Sequence, residues 1–137
     1  MSTFPAGAVA LVTGAGGDIG RAVGSHLCAT GAAVVLADHP DAVDRLEETR
    51  RQCLEVSASS AVSTAAFDVA DPAAVRSSLA ELAGGVGTPE LLVNNAGYQG
   101  ELVNILDATA ADVQRVLEVN VVGVFNVLQA VAAALRD

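Results

Sequence analysis

Short apolar segments alternate along this chain with segments whose apolar residues recur at helical spacing. The apolar segments are residues 8–12, 32–37, 61–67 and 91–93, and their spacing is typical of a strand followed by a helix. Each is nearly continuous in its apolar character, which is typical of parallel strands covered by helices on both faces. The pattern predicts four strands, each followed by a helix.

Start and stop signals delimit the first three predicted helices. Gly31 is placed to end the first helix, and Asp41 is placed to cap the N-terminus of the second. Asp71 followed by Pro72 is a typical start for the third, because proline fits the first helical position. Residues at helical spacing should face the sheet: Ile19, Val23 and Leu27 in the first helix, Val43, Leu46 and Cys53 in the second, and Val75, Leu79 and Leu82 in the third.

The last segment, from Thr109 onward, contains no helix breaker. Thr109 and Asp112 have the spacing of a capping box. A stripe at helical spacing follows: Val113, Leu117, Val121, Val124, Leu128, Val131 and Leu135. At about 27 residues the segment is too long for one strand, so we predict one long helix, irregular near residues 120–123. Its apolar residues cover more than one face; one face can pack on the sheet, and the other predicts a homo-oligomer formed through residues 109–135.

The first strand leads into a glycine-rich segment, residues 13–20, and then into the first helix. A tight glycine turn at a helix N-terminus presents backbone N–H groups to a dinucleotide pyrophosphate, and a Cβ there would hold the phosphate off. With right-handed crossovers, the turn predicts the N-terminal half of a Rossmann-type doubly wound α/β fold, βαβαβαβα, with strand order 3-2-1-4 in a single domain, residues 1–137. Taken alone, the turn also suits an ordinary strand–helix connection.

Composition narrows the choice of partners. The chain of 137 residues is 52% hydrophobic, carries a formal net charge of −9 and contains no lysine, which argues against nucleic acid and anionic membranes as partners. Cys28 and Cys53 lie in separate predicted helices without a CxxC motif, so we expect buried thiols and neither a disulfide nor a metal site. The first residues lack the basic region of a signal peptide and the length of a membrane span, so we expect a cytoplasmic protein.

Polar residues follow the predicted strands at the edge where their carboxyl ends meet. Asp38 can accept hydrogen bonds from both hydroxyls of an adenosine ribose and would repel a 2′-phosphate, which favours NAD over NADP. Asp68 can contact the adenine amino group, although a turn residue is an equally good interpretation. Residues 94–97, with the sequence NNAG, end the fourth strand. Asparagine amides there can tie strand ends together, and Gly97 leaves room for a cofactor.

Together these elements resemble the short-chain dehydrogenase/reductase family. The motifs that carry the resemblance, in family order and spacing, are Thr13, Gly14, Ala15, Gly16, Gly17, Asp18, Ile19 and Gly20, then Asp38, Asp68 and Val69, then Asn94, Asn95, Ala96 and Gly97, and finally Asn120. The NNAG element is far more specific than the glycine turn. The resemblance covers essentially the whole chain.

The resemblance implies an NAD-dependent oxidoreductase that transfers a hydride between the nicotinamide and a secondary alcohol or ketone. In the family, the residue at the position of Asp38 selects NAD. Asp68 and Val69 would border the adenine, and residues 94–97 would line the nicotinamide ribose. Asn120 would support a proton relay through an ordered water.

One departure from the family pattern lies in the glycine turn. In the family this turn, residues 14–20 here, holds the pyrophosphate, and Ile19 would help to cover the cofactor. Asp18 stands where the family has its middle glycine, and a carboxylate beside a pyrophosphate is repulsive. Asp18 is equally a good N-cap for a helix that starts at Ile19. We expect it to turn outward and cap the helix, so that NAD still binds.

The second departure is larger. The family's catalysts are a serine and a YxxxK pair after the fifth strand, in which the tyrosine is the general acid/base and the lysine lowers its pKa. The chain stops at Asp137, before that region, and Tyr98 directly follows NNAG, so we expect Tyr98 at the mouth of the pocket. We therefore expect a chain truncated before the catalytic Ser/Tyr/Lys region and inactive alone, with Asn120 as an accessory residue.

Two alternatives compete with this interpretation. The chain can be a non-catalytic dinucleotide-binding or association module that truly ends at Asp137. A different nucleotide-binding α/β enzyme, such as a methyltransferase, is disfavoured by the NNAG element and by the threonine-first glycine turn. Only residues 98–107 could contribute to a substrate pocket, and their composition indicates no particular ligand.

Overall fold

The apolar segments form a four-stranded parallel sheet in the order β3-β2-β1-β4, as predicted. The computed structural model describes residues 5 and 7–136. Its strands are β1 (Val9–Thr13), β2 (Ala33–Asp38), β3 (Val62–Ala66) and β4 (Leu91–Val93). Its helices are α1 (Asp18–Ala29), α2 (Val43–Val56), α3 (Pro72–Gly84), α4 (Ala110–Leu117) and α5 (Gly123–Ala134), with a π turn (Glu118–Val122) that joins α4 to α5.

The strand register brings the carboxyl ends of the strands to one edge of the sheet. Val12 of β1 pairs with Leu36 of β2 and with Val93 of β4, and Asp38 at the end of β2 pairs with Ala66 at the end of β3. The loops that follow the four strands therefore meet at this edge. Edges of this kind hold ligands in doubly wound sheets.

Two apolar cores cover the two faces of the sheet. Because successive strand residues point to opposite faces, β1 sends Ala10 and Val12 to one core and Val9 and Leu11 to the other. The first core contains side chains of α1 and α2, and the second contains side chains of α3 and of the helix through α5. The central strand β1 is buried along its whole length.

The outer strands are less buried than their apolar sequences predict. Residues of β3 and β4 are half-buried, and Ala66 is exposed. The reason is their position, since β3 and β4 are the edge strands of the sheet that the described residues form. A strand at the edge of a sheet is covered on fewer sides than a central one.

The starts of α3 and α4 agree with the sequence-based prediction, because a side chain caps the backbone at each of them. The Asp71 carboxylate accepts hydrogen bonds from the N–H groups of Ala73 (2.9 Å) and Ala74 (3.1 Å), with Pro72 in the first turn. Thr109 and Asp112 form the predicted capping box. Both predictions are confirmed, because each rests on an interaction between residues no more than three positions apart.

Two predicted caps are wrong. Helix α1 begins at Asp18, with Gly17 as its N-cap and no side-chain cap. Asp18 is therefore an exposed residue of the first turn, where its negative charge interacts favourably with the positive end of the helix. Asp41 lies inside a short 3₁₀ turn (Pro40–Ala42) that precedes α2, and the ring of His39 accepts the Asp41 N–H at 3.2 Å. Proline starts that turn and delays α2 to Val43.

The buried faces of α1 and α2 agree with the prediction at Leu27, Leu46 and Cys53, and they differ at the first residue of each stripe. The Ile19 side chain is 71% exposed and Val43 is 43% exposed. Helix α1 also turns Gly24 toward the sheet, where a Cβ on it would lie 2.7 Å from the Leu36 side chain. Glycine allows a closer approach of helix and sheet than a larger residue would, so α1 lies close to β2 at Gly24 while Leu27 of the predicted stripe stays buried.

A single helical segment, Ala110–Ala134, contains α4, the π turn and α5, and we call it the long helix. The π turn at Glu118–Val122 is the predicted irregularity around Asn120. Of the predicted stripe only Val131 is buried, because the inward face contains Val119, Gly123 and Val127 instead. The exposed apolar residues of the long helix and the turn after it are Val113, Leu117, Val121, Val122, Phe125, Leu128 and Leu135. At 25 residues with a mean hydropathy of 1.7, the helix is also long and apolar enough to cross a membrane by length and composition alone.

Candidate functional site

The glycine turn after β1 requires glycine at its first position. Gly14 has φ +65°, and a Cβ on it would lie 2.8 Å from the Cα of Ala96 and 2.9 Å from Nδ2 of Asn95. Backbone hydrogen bonds close the turn, from Gly17 N–H to the Gly14 carbonyl at 3.2 Å and from Ala15 N–H to the Ala37 carbonyl at 3.0 Å. The turn is therefore built into the ends of three strands.

Gly20 makes the contact between α1 and this turn. A Cβ on Gly20 would overlap the carbonyl oxygen of Gly14 and would lie 2.8 Å from both the Cα of Ala15 and Nδ2 of Asn95. The N-terminal end of α1 is thereby pressed against the turn, with its unpaired N–H groups near the strand ends. Gly20 packs the helix in place and lines neither of the two cavities found at this edge of the described residues.

Asp38 is held by two backbone donors at the end of β2. Its Oδ2 accepts the N–H of Gly16 at 2.8 Å, and its Oδ1 accepts the N–H of His39 at 2.7 Å. A Cβ on Gly16 would lie 3.0 Å from Oδ2, so glycine lets the turn come this close. The carboxylate therefore has a defined orientation at the strand edge.

Thr13 and Asn95 join the ends of β1 and β4. The buried Thr13 hydroxyl accepts the N–H groups of Asn95 and Ala96, both at 3.0 Å, and donates to the Val93 carbonyl at 3.4 Å. Nδ2 of Asn95 donates to the carbonyls of Thr13 (3.1 Å) and Gly14 (3.2 Å). This is the predicted asparagine tie between strand ends, and Thr13 is the partner whose role the residue pattern alone did not reveal.

Thr49 holds the turn from the side of α2, and sequence reasoning missed it. Its hydroxyl is fully buried and lies 2.9 Å from the Ala15 carbonyl and 3.0 Å from the Arg45 carbonyl. The available signal was its position, since Thr49 falls between Leu46 and Cys53 on the buried face of an otherwise polar helix. A buried hydroxyl there needs a partner, which is the turn.

A cavity of about 560 Å³ lies along the carboxyl edge of the sheet. This volume is in the range of small-molecule sites in proteins. The predicted site residues that line it are Gly14, Asp38, Asp68, Val69, Asn95, Ala96 and Gly97. His39, Asp41, Arg45, Tyr98 and Arg115 also line it. Gly14 of the glycine turn, the two strand-end carboxylates and three residues of the NNAG segment thus share one cavity.

The remaining predicted residues lie outside this cavity. Asn94 and Asn120 line an adjoining cavity of about 1090 Å³, which shares Ala96, Gly97 and Tyr98 with the first. Gly16 and Gly20 are buried in the packing around the turn, whereas Gly17, Asp18 and Ile19 are exposed at the start of α1. The part of the chain that the structure describes holds no group of three His, Cys, Asp or Glu side chains suited to a metal ion.

Asp68 is surrounded by donors from distant elements. Its Oδ1 accepts the Ala70 N–H at 2.9 Å, and its Oδ2 accepts from Nη2 of Arg115 on α4, also at 2.9 Å. Nε2 of His39 lies 3.8 Å from the same Oδ2. Burial raises the pKa of Asp68, but the Ala70 hydrogen bond and the Arg115 guanidinium together bring that pKa below its ordinary value. No local signal marked Arg115, which is far from Asp68 in the sequence.

Asn120 binds the backbone of Tyr98 from the π turn. Its Oδ1 accepts the Tyr98 N–H and its Nδ2 donates to the Tyr98 carbonyl, both at 2.8 Å. The Tyr98 hydroxyl donates to Glu101 at 3.3 Å. Desolvation and the Glu101 carboxylate raise the pKa of Tyr98, the opposite of what a catalytic base needs. Tyr98 lines both cavities, as predicted.

Comparison with known proteins identifies the family of this chain. The family model described as short chain dehydrogenase matches residues 8–137. Levodione reductase of Leifsonia aquatica is 33% identical over 129 residues, which are 94% of this chain and 48% of that protein. The chain therefore spans about half the length of this curated relative. Relatives of this kind are oxidoreductases.

Solved structures share the fold and differ in the cofactor that is bound. NAD⁺-bound xylitol dehydrogenase is 36% identical with a TM-score of 0.85, over 94% of this chain and 48% of that one. L-sorbose reductase of Gluconobacter frateurii, complexed with NADPH and L-sorbose, is 30% identical with a TM-score of 0.86, over 99% of this chain and 50% of that one.

Proposed function

The chain belongs to the short-chain dehydrogenase/reductase family, and from this premise we propose that it is the cofactor-binding half of an NAD-dependent oxidoreductase. The full enzyme would transfer a hydride between the nicotinamide and a secondary alcohol or ketone. The observation that carries the proposal is the Asp38 carboxylate, which is oriented by Gly16 at the edge of the 560 Å³ cavity.

Different residues around the cavity would bind different parts of the dinucleotide. The pyrophosphate would lie at the glycine turn, where the N-terminal end of α1 favours negative charge. The ribose hydroxyls of the adenosine would donate to Asp38, and the adenine would lie beside Asp68 and Val69. Residues 94–97 would line the nicotinamide ribose, close to the Asn120 clamp on Tyr98.

The charges on this edge support NAD over NADP. A 2′-phosphate on the adenosine ribose would replace a hydroxyl that Asp38 accepts, and would bring two negative groups together. At about 4 Å and an effective dielectric constant near 20, such a repulsion is worth about 4 kcal/mol. Arg45 also lines the cavity and is the cation that would offset part of this repulsion.

In this proposal the described residues bind and position the cofactor, and residues outside them transfer the proton. When bound, the nicotinamide supplies the site that gives or takes the hydride. Asn120 would hold the Tyr98 segment and support a proton relay. The sequence contains no lysine, so it lacks the family's YxxxK pair. We therefore propose that residues 1–137 bind the cofactor and do not turn over substrate alone.

The long helix supports association with a second copy of the chain. Its inward side is already engaged, because Arg115 reaches Asp68, Asn120 holds Tyr98 and Asn126 donates to the Val69 carbonyl at 2.9 Å. Its outward side exposes the large apolar residues named above. A helix bound to its own sheet on one side and apolar on the other favours a homo-oligomer in the cytoplasm over a membrane span.

Calorimetric titration of the full polypeptide encoded by the gene, with NAD⁺ and with NADP⁺, tests the proposal. Wild type should bind NAD⁺ more tightly, and Asp38→Asn should reduce that preference at least about tenfold, since one charge-assisted contact is worth about 1.5–3 kcal/mol. Asp44→Asn is the matched control, because Asp44 lies on α2 outside the cavity. Tighter binding of NADP⁺ would refute the preference, and binding of neither would refute the site.

The alternative is a non-catalytic dinucleotide-binding or association module. A second experiment distinguishes this module from the oxidoreductase. The intact mass of the purified protein and the reading frame beyond Asp137 decide whether a serine and a YxxxK motif follow. Turnover of secondary alcohols by a longer product would support the oxidoreductase. Dinucleotide binding without turnover, by a product of 13.7 kDa, would support the module.

A further inference from the structure

We propose that Arg115 is a positioning residue for the adenine end of the cavity, where it orients the Asp68 carboxylate to accept the 6-amino group of adenine. This inference rests on the proposed function, because it assumes that the cavity takes the adenosine half of a dinucleotide. It assigns to α4, the first turns of the long helix, a role in recognising the base.

The Asp68 carboxylate has one fixed donor on each oxygen. The Ala70 N–H binds Oδ1 and the Arg115 guanidinium binds Oδ2, each at 2.9 Å. Each oxygen of an ionised carboxylate accepts more than one hydrogen bond, so both retain capacity for a ligand. Two donors that approach different oxygens fix the plane of the carboxylate, and Arg115 is the only side chain within hydrogen-bond distance of it among the described residues.

His39 does not replace Arg115 at this carboxylate. Its Nε2 lies 3.8 Å from Oδ2, which is beyond hydrogen-bond distance. Its Nδ1 is engaged with the Asp41 N–H at 3.2 Å. Without Arg115, Oδ2 would lose its close donor, and the carboxylate would be held through Oδ1 alone.

The long helix presents Arg115 from a rigid position. Asn126 donates to the Val69 carbonyl at 2.9 Å, and a Cβ on Gly123 would lie 2.6 Å from the Val69 side chain. The helix is thus packed against the residue next to Asp68 as well as bound to Asp68 itself. Nη1 of Arg115 also lies 3.9 Å from Glu118, one turn along the helix. A guanidinium placed in this way can orient a partner group.

A purely stabilising ion pair explains the arrangement less well. The Arg115 side chain is 43% exposed and that of Asp68 is 27% exposed. Pairs near the surface contribute little to folding, typically under about 1 kcal/mol. Both residues line the cavity, whereas the comparable pair of Arg50 and Glu47 on α2 lies outside it.

The test compares NAD⁺ with nicotinamide hypoxanthine dinucleotide, which carries an oxo group in place of the adenine 6-amino group. With the full polypeptide, calorimetry should give wild type a preference of about tenfold for NAD⁺, the value of one hydrogen bond to a charged group. In Arg115→Met this preference should fall to about twofold or less. Arg115→Lys, which keeps a charge and a donor, should be intermediate. Arg50→Met is the matched control and should keep the wild-type preference.

Loss of general stability would weaken both dinucleotides equally and leave their ratio unchanged. An unchanged ratio in Arg115→Met therefore overturns the inference, and so does a wild type that does not distinguish the two dinucleotides. If Arg115→Met does not fold, the ratio in Arg115→Lys decides in the same way. If wild type binds neither dinucleotide, the proposed function fails and the inference fails with it.

Discussion

The two faces of the sheet differ in how many large apolar residues their helices leave exposed to solvent. On the face of α1 and α2, the glycines of α1 approach the sheet closely and the cysteines Cys28 and Cys53 are fully buried. The face of α3 and the long helix has an equally buried interior, with Val75 and Val127 fully covered. Its outer side, however, exposes a continuous series of large apolar residues along the long helix.

The site follows the same division. The glycine turn is held by Gly20 of α1 and Thr49 of α2, and the Asp38 carboxylate is held by the N–H groups of Gly16 and His39. Beyond them, Asn94, Tyr98 and Asn120 line the larger and more open cavity next to the edge strand β4. The packed face therefore carries the more enclosed part of the site, and the open face carries the more exposed part.

The largest expected effect is on the packed face, at Gly20. Gly20→Ala places a methyl group against the Gly14 carbonyl and the Ala15 backbone, which cannot move without opening the turn. We expect a loss of about 3 kcal/mol in the free energy of unfolding, at the upper end for overpacking, together with loss of dinucleotide binding. Urea denaturation and calorimetry measure the two effects.

Gly17→Ala is the control for this change. A Cβ on Gly17 would have only the Gly14 carbonyl nearby, at 3.5 Å, and its φ of −86° suits any residue. We expect a cost under about 1 kcal/mol, from its N-cap position. Equal losses in the two variants would contradict the close packing of α1 on the turn.

The open face should show its largest effect in association. Phe125 is 59% exposed, and Phe125→Glu would place a charge in the proposed contact between copies. We expect the dissociation constant of the oligomer to rise at least about tenfold, while the dissociated chain keeps its thermal stability because Phe125 is exposed. Sedimentation velocity at several protein concentrations measures this.

Ile19→Glu provides the comparison on the packed face. Ile19 is 71% exposed but lies at the start of α1, away from the long helix. Its substitution should leave the sedimentation coefficient unchanged. A monomeric wild type would refute the proposed oligomer. A change in the sedimentation coefficient of Ile19→Glu alone would show that the interface lies on the other face.

A smaller effect is expected at Thr49. Thr49→Val keeps the shape of the side chain but leaves the Ala15 carbonyl without its hydroxyl donor. The expected cost is about 1–3 kcal/mol, because a buried acceptor loses its partner. Thr64→Val is the control, since the Thr64 hydroxyl donates to Glu47 at the surface, and it should cost under about 0.5 kcal/mol. Similar costs in chemical denaturation would show that Thr49 does not anchor the turn.

The smallest effect concerns the buried thiols. Burial and the neighbouring Cys53 raise the pKa of Cys28 from 9.0 to about 12, so its thiolate is scarce at neutral pH. In the folded protein, iodoacetamide at pH 8 should modify neither cysteine within the time that unfolded protein is fully modified. Mass spectrometry reads the result, and rapid modification of Cys28 would contradict the closed packing of this face.

Local sequence determined those features that rest on neighbours along the chain. The caps at Asp71 and Thr109 were predictable because donor and acceptor lie within three residues of each other. The strand order 3-2-1-4 followed from the right-handed crossovers and the glycine turn after the first strand. The irregularity near Asn120 was visible as a run of valines inside a helical pattern.

Tertiary structure determined which of several possible faces is buried and which distant groups meet. The apolar stripe of the long helix was real in sequence, but close approach at Gly123 selected a different inward face, whereas in α1 the predicted Leu27 is buried and only Ile19 is exposed. Arg115 and Asp68 meet because the sheet edge and the long helix bring them together, although they are far apart along the chain. Periodicity records only which residues share a face, whereas packing against the sheet decides which face is covered, because the closest fit excludes the most water.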